Sequence, residues 1–414
     1  MKVLLVQPPV WNYYRGMRLH LNPNLGILYL AAMIRDKHEV RVYDCEALQW
    51  TSSDLLKAAH AFGATVVGIT GTTIGFQSLV AMTMHLKDDG LKVLVGGPHV
   101  TYLGDRALQA TGADVAVIGE GESVMEEALH SQGGTILYGT PLKMSELPSP
   151  ARGLLTPTVD RGYVGNQPLY KRPETAVQWE RGCPHGCYFC SHPVHGNKPT
   201  RFREPGSIVE ELKHLKDRWH IKTVFVYDDE LFGLSQKQSE WLHVVLDEII
   251  EADLGLILKT QARCSKALVT QDLADKMYEA GFRAVMLGCE SGSPKVLEAS
   301  RKGTTVEDIM HTVRIVHSSG MHAWGYWMVG NLEETVEDAA MTEKLIKKLK
   351  PYMQFRQVTI CTPWAGSKTR ELAVQGGWIF EQNPLAWLAD RPVMDTPWMN
   401  RHEMDVWRTR LAAA

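Results

Sequence analysis

Apolar and polar positions alternate along the first 130 residues in a way that separates short strands from helices. Five runs rich in β-branched and aliphatic residues, KVLLV, EVRVYD, TVVGIT, KVLVGG and DVAVIG, begin at residues 2, 39, 65, 92 and 114. Between them LGILYLAAMIRD, SDLLKAAHAFG, QSLVAMTMHLKDDG and DRALQAT carry apolar residues at helical spacing. Strands apolar on both faces and joined by helices predict a Rossmann-like, doubly wound parallel sheet over 1–135, because crossover helices cover both faces. From about residue 131 periodicity fades into Gly-, Pro- and Ser-rich sequence (SQGG, LPSPARG), and 136–175 reads as a linker. A second alternation follows, with strands at AVQWER, TVFVYDD, LILKTQAR, AVMLGCE, HAWGYWMVG and QVTICTP. Six βα units over 176–370 predict a partial TIM-like barrel, with functional groups at the strand carboxyl ends. A Trp-rich extension over 371–414 completes this α/β chain.

Composition narrows the function classes. The 414 residues are 44% hydrophobic and 22% charged, those of an ordinary globular chain with enough apolar mass for two cores. With 44 basic and 47 acidic residues the net charge is -3, so no global field favours bulk nucleic acid or an acidic membrane. The start, MKVLLVQPPV, is too short and too soon broken by proline for a signal peptide, and no 18-residue apolar run exists. A cytoplasmic protein without a membrane span is expected. Seven cysteines, three of them crowded between Cys183 and Cys190, suit a metal better than a secreted disulfide framework.

The strand ends of the first domain are uniformly small or polar: Pro8 and Pro9, Asp44, Gly71, Thr72 and Thr73, Gly96, Gly97 and His99, and Gly119, Glu120 and Glu122. Each alone is an ordinary βα turn. Together they favour a crevice that a flat ligand approaches closely. No G-x-G-x-x-G follows the first strand, which disfavours a dinucleotide. In the second domain, Cys183, Cys187 and Cys190 form a C-x3-C-x2-C array, RGCPHGCYFC, after the first barrel strand. Three thiolates suit a [4Fe-4S] cluster whose fourth iron stays open. Zinc is the alternative, with His185, His192 or His195 as fourth ligand.

On these residues the chain resembles the radical S-adenosylmethionine (SAM) superfamily, and its N-terminal half resembles the cobalamin-dependent subgroup with its class B methyltransferases. The resemblance implies that the open iron chelates SAM, which is cleaved reductively to a 5′-deoxyadenosyl radical. It places Phe189 near the adenine and Tyr227, Asp228, Asp229 and Glu230 at the SAM amino group. It pairs Arg263 with the SAM carboxylate and sets Glu290 near the ribose or amino group. Tyr326 to Gly330, with Thr362 and Pro363, fall where the family contacts the adenine, although Ala365 replaces a proline of the common TPxPGT form.

The cobalamin module departs from the familiar pattern, since no D-x-H-x-x-G follows the first strand. Asp36-Lys37-His38 is the nearest approach and reads as a solvated helix end. The resemblance implies base-off cobalamin without a histidine ligand, its lower face lined by Thr72 to Phe76, with Ile74 and Phe76 as candidates. His99 is the one strand-end histidine that would challenge this.

The expected activity is transfer of methyl from cobalamin to a carbon centre of a small-molecule or peptide substrate, with a low-potential electron donor such as flavodoxin or ferredoxin. A cobalamin-dependent rearrangement, ring contraction or cyclisation would use the same cofactors. A zinc-stabilised binding module is the non-enzymatic alternative. A methylthiotransferase is disfavoured, because Cys45 is the sole cysteine before Cys183. Trp324 and Trp327 are candidates for the barrel mouth, and Lys171, Arg172, Arg201 and Arg203 for an anionic substrate group, against the commoner readings of core packing and scattered surface charge.

Overall fold

The computed structural model describes residues 1–10, 22–159, 171–191, 199–232, 234–383 and 386–414. His192 and His195 lie outside them. The chain divides into two compact units, the first spanning Met1–Ala176 with Trp219–Ile221 and the second Val177–Arg218 with Lys222–Ala414.

The first unit is built on seven strands: β1 (Lys2–Gln7), β2 (Glu39–Asp44), β3 (Val66–Thr70), β4 (Lys92–Gly96), β5 (Val115–Gly119), β6 (Thr135–Gly139) and β7 (Leu155–Thr156). They pair in parallel in the order β6-β5-β4-β3-β1-β2-β7. The two-residue period of the strands sorts their side chains into two cores. Val3 and Leu5 pack with Ile27, Leu28 and Ala31 of helix Leu25–Ile34 on one face, whereas Leu4 and Val6 pack with Leu79 and Met82 of helix Phe76–Asp88 on the other. Strand order reverses between β1 and β3, and a doubly wound sheet opens its crevice beyond the carboxyl ends at that switch point.

The segment expected to be a linker is part of this unit. Thr135–Gly139 and Leu155–Thr156 extend the sheet at its two edges. Buried Arg152 donates to Thr175 Oγ1 at 3.2 Å and to the Ala176 carbonyl at 2.8 Å. Edge strands this short carry too few residues to display a period, so their Gly- and Pro-rich surroundings dominated the sequence pattern.

A second, six-stranded sheet is formed by β8 (Glu174–Val177), β11 (Thr223–Val226), β12 (Ile257–Arg263), β13 (Phe282–Glu290), β14 (His322–Val329) and β15 (Met353–Ile360), in the order β15-β14-β13-β12-β11-β8. Strictly sequential strands with intervening helices are the topology of an open (β/α)6 barrel. The stretch AVQWER is broken rather than continuous. After β8, Glu180–Arg181 forms a separate strand, β9, paired antiparallel with β10 (Arg201–Phe202). Register brings Arg263 of β12, Gly288 of β13, Tyr326 of β14 and Gln357 of β15 side by side near the carboxyl ends.

The Trp-rich extension is integral to the second unit. Helix Arg401–Ala413 packs on β14 and β15, and Met404 is so close that a Cβ added to Gly330 would lie 2.8 Å from its sulfur. Arg410 pairs with Glu343 at 2.7 Å. Among the described residues no helix is long and apolar enough to cross a membrane.

Candidate functional site

At the carboxyl ends of the first sheet, the loops after β1 and β3 flank the switch point. Pro8 and Pro9 are buried, and Gln7 Oε1 accepts from Asn24 Nδ2 at 2.6 Å, fixing the exit of β1. After β3, Gly71 is buried while Thr72, Thr73 and Ile74 are half-buried. Thr72 Oγ1 accepts from the Gly75 N–H at 3.3 Å, which holds this loop as a rigid turn.

Two candidates have structural tasks here. Phe76 packs against the second core and against the ring of His99, centroids 4.4 Å apart, which leaves Ile74 as the better candidate to face a ligand. Asp44 Oδ1 accepts from the Ala47 N–H at 3.0 Å as the N-cap of a short helix, and its side chain is buried.

His99 is held on both edges. Its Nδ1 lies 3.0 Å from Thr73 Oγ1, and its ring sits between Phe76 and Tyr102. The glycines answer to the fold more than to a ligand. Gly97 has φ +93°, and a Cβ there would lie 2.4 Å from Thr70 Oγ1. Gly119 has φ +85°, and its Cβ would meet the Gly139 carbonyl oxygen at 2.7 Å. Gly96 is half-buried with ordinary clearance. Glu120 is half-buried and Glu122 buried at the end of β5, further from the switch point.

In the second unit, Cys183, Cys187 and Cys190 lie in the loop after β9, Cys187 buried and the others half-buried. The loop is pinned at its middle: the Tyr188 N–H donates to the Ser300 carbonyl at 2.9 Å, and the Thr369 N–H donates to the Tyr188 carbonyl at 2.9 Å. Burial pushes the Cys183 thiol up to about 12, with Glu230 and Asp229 acting in the same direction, so a thiolate here needs a cationic partner. Three thiols presented from one loop are a donor set that suits an iron–sulfur centre. His185 is held neutral, its pKa lowered to about 4 by burial and by Arg263 and Lys302, and its Nε2 is buried without a hydrogen-bond partner.

The acidic run after β11 splits by role. Asp228, 0% exposed, accepts at Oδ1 from the N–H groups of Trp179 (2.7 Å) and Glu180 (3.2 Å). Through Oδ1 it ties the base of the cysteine loop to the barrel, while its Oδ2 is buried without a hydrogen-bond partner. Burial raises the Asp228 and Glu180 carboxyls well above the usual range. Asp229 is exposed, and its Oδ2 accepts from the Gly182 N–H at 3.0 Å. Tyr227 is 55% exposed and stacks edge-on to Phe225. Glu230 is buried, its Oε1 accepting from the Arg263 N–H at 2.5 Å, and burial pushes its carboxyl up to about 7.

Arg263 differs from expectation. Its guanidinium is directed into the protein, Nη1 donating to Cys187 Sγ at 3.5 Å and Nη2 to the Lys302 carbonyl and Thr304 Oγ1 (3.4 Å), with Nε 3.8 Å from Glu230. The residue is 6% exposed, so it is placed to act on the cysteine loop itself. Glu290, with φ +61° after a register shift at the end of β13, pairs with Lys302 Nζ at 2.9 Å. Gly288 makes room for that pair, since a Cβ there would stand 2.7 Å from Lys302 Nζ. The same ammonium lies 5.8 Å from the ring centroid of Phe189.

Phe189 packs on Cys361, Ala373 and Met394, which makes it a core contact as well as a wall of this corner. Tyr326 is half-buried, and burial pushes its phenol up to about 12. Thr362 is buried with its hydroxyl donating to the Ile360 carbonyl at 3.2 Å, and the Pro363 carbonyl accepts from Arg370 at 3.3 Å.

Of the substrate candidates, Trp327 is a core residue, whereas half-buried Trp324 stacks near Phe355 at 5.3 Å. Arg203 is buried in an ion pair with Glu211, unlike the surface cation expected. Sequence reasoning missed Lys302, Glu180 and the neutral state of half-buried His185. Lys302 follows a helix rather than a strand, so it did not stand among the strand-end candidates.

Residues 178–346 match the radical SAM superfamily model and residues 18–129 the B12 binding domain model. The chain is similar to an uncharacterized methyltransferase of Pyrococcus horikoshii, 29% identical over 417 aligned positions that cover 95% of this chain and 88% of the relative. It is also similar to the bacteriochlorophyllide d C-12(1)-methyltransferase of Chlorobaculum tepidum, 25% identical over 312 positions, 74% of this chain and 65% of that one. Among solved structures, the radical S-adenosylmethionine methyltransferase TsrM of Kitasatospora setae superposes with a TM-score of 0.66, at 20% identity, in its complex with tryptophan and a SAM analogue. Its complex with cobalamin and a [4Fe-4S] cluster gives 0.68 at 19%. Each covers 90% of this chain, and 76% and 75% of TsrM, and at such identity the likeness is one of fold.

Proposed function

From a chain that belongs to the cobalamin-dependent radical SAM family, we propose an enzyme that transfers a methyl group, carried by cobalamin, to a carbon atom of a small-molecule or peptide substrate. Cys183, Cys187 and Cys190 would hold three irons of a [4Fe-4S] cluster, the fourth being left to the amino and carboxyl groups of SAM. When bound, the cluster supplies the electron that cleaves SAM and cobalamin supplies the methyl group. The strand ends beside the β1/β3 switch point, Pro8, Pro9 and Thr72 to Ile74, would form the corrin floor. Methyltransferase names among the relatives support methyl transfer over rearrangement.

The observation that carries this reading is the chain of charge running from the cysteine loop to the barrel rim. Arg263 donates to Cys187 and is backed by Glu230, while Lys302 is backed by Glu290. Arg263 stabilises negative charge on the cysteine sulfurs. Lys302 and Glu290 offer a cation and an anion a single contact apart, complementary to the carboxylate and ammonium of an amino acid such as SAM. An external low-potential donor, a flavodoxin or ferredoxin, would deliver the electron.

Anaerobic protein reconstituted with iron, sulfide and cobalamin, then fed a cellular metabolite pool with SAM bearing a deuterated methyl group, tests the function. A metabolite that acquires the label on carbon is the expected result. Full consumption of SAM with no labelled carbon product would refute it.

A further inference from the structure

The first unit carries a second constellation of metal-binding character, at the opposite end of the sheet from the strand carboxyl ends. His38 immediately precedes β2, while Glu126 and His130 lie one turn apart on helix Met125–His130. Nε2 of His38 stands 3.3 Å from both carboxylate oxygens of Glu126, and Nε2 of His130 stands 3.4 Å from one of them. All three ligand atoms fall within 4.8 Å of one another, the one such group of three among the described residues. The His38 side chain is 6% exposed, so it is a buried imidazole aimed at a carboxylate and not the solvated helix end that its sequence context suggested.

The distances discriminate between two readings. A charge-assisted hydrogen bond from imidazole to carboxylate closes to about 2.7–2.9 Å. Around a tetrahedral zinc with bonds of about 2.0–2.1 Å, neighbouring ligand atoms stand roughly 3.3 Å apart. The observed separations match the second value. Two imidazoles and one carboxylate are a donor set that favours zinc and its transition-metal neighbours over magnesium or calcium.

We propose that His38, Glu126 and His130 form a three-ligand zinc site, its fourth position open to water on the exposed His130 side. Its consequence is structural: the ion ties the turn before β2 to the helix after β5, two segments 88 residues apart in sequence. The proposal is independent of the function assigned above, because these residues touch none of the strand carboxyl ends.

Untagged protein loaded with cluster and cobalamin, so that its cysteines are occupied, should be dialysed anaerobically against zinc and assayed for bound metal. Wild type is expected to retain one zinc, and His130→Ala and Glu126→Gln to weaken binding by at least about tenfold. Zinc should also raise the melting temperature of wild type and not of His130→Ala, an exposed substitution that leaves the core untouched. Equal zinc retention by wild type and both variants, or none by wild type, would overturn the site, whatever the outcome of the methyl-transfer experiment.

Discussion

Cys183, Cys187 and Cys190 stood out as candidate metal ligands because three thiols within eight residues share one loop wherever the chain runs. Replacing all three by alanine should abolish bound iron and sulfide in anaerobic protein, while Cys45, Cys264, Cys289 and Cys361, each buried, should be dispensable for it. Iron retained by the triple variant would break the assignment. Arg263 was legible as a residue and not as a role. Its position at the end of β12 suggested a ligand partner, but only the fold shows the guanidinium turned toward Cys187 at 3.5 Å. Arg263→Met should therefore shift the midpoint potential of the cluster to more negative values, since a cation beside a sulfur ligand favours the reduced, more negative state. It should also cost about 1.5–3 kcal/mol of stability through lost charged hydrogen bonds. An unchanged potential in an EPR-monitored redox titration would contradict the placement. Lys302 escaped sequence reading because its partner, Glu290, lies across a helix and a turn, and pairs of that kind have no local signature.

Strands and helices were read well where burial on both faces imposes a long apolar run, as in β1 through β5 and β11 through β15. Short edge strands and the β8/β9 break were not, because two to five residues give no period to detect. Turns of the first sheet carry structural demands of their own, as at Gly97 with its φ of +93°. Gly97→Ala should destabilise the first unit by roughly 1–3 kcal/mol, since it forces a strained positive φ on alanine. Denaturant unfolding with no change in midpoint would show that the turn relaxes freely.

The loop after β14 makes a pH prediction. Glu334 is buried and accepts from the N–H groups of Gly330 (2.7 Å) and Asn331 (3.0 Å), yet burial outweighs them and pushes its carboxyl up to about 8. The folded chain thus holds a proton that the unfolded chain releases near the ordinary carboxylate value of about 4.3. The stabilisation is complete below that value and is lost as pH rises to about 8, at up to ~1.4 kcal/mol per pH unit. Glu334→Gln, which keeps an acceptor for both N–H groups, should flatten that decline. A slope equal to wild type would contradict it.

At the scale of the whole chain, two α/β units with separate cores were evident from the two alternating series. The boundary was not, because the sequence between them reads as loop while its backbone completes the first sheet. Methyl transfer and rearrangement call for the same fold and cofactors, and they differ in what becomes of SAM. The most direct measurement is the ratio of SAM-derived products during anaerobic turnover with reductant and the substrate found by labelling. Methyl transfer to carbon by a radical route predicts 5′-deoxyadenosine and S-adenosylhomocysteine accumulating together, near one of each per methylated product. Sustained product formation with 5′-deoxyadenosine and no S-adenosylhomocysteine would contradict the account.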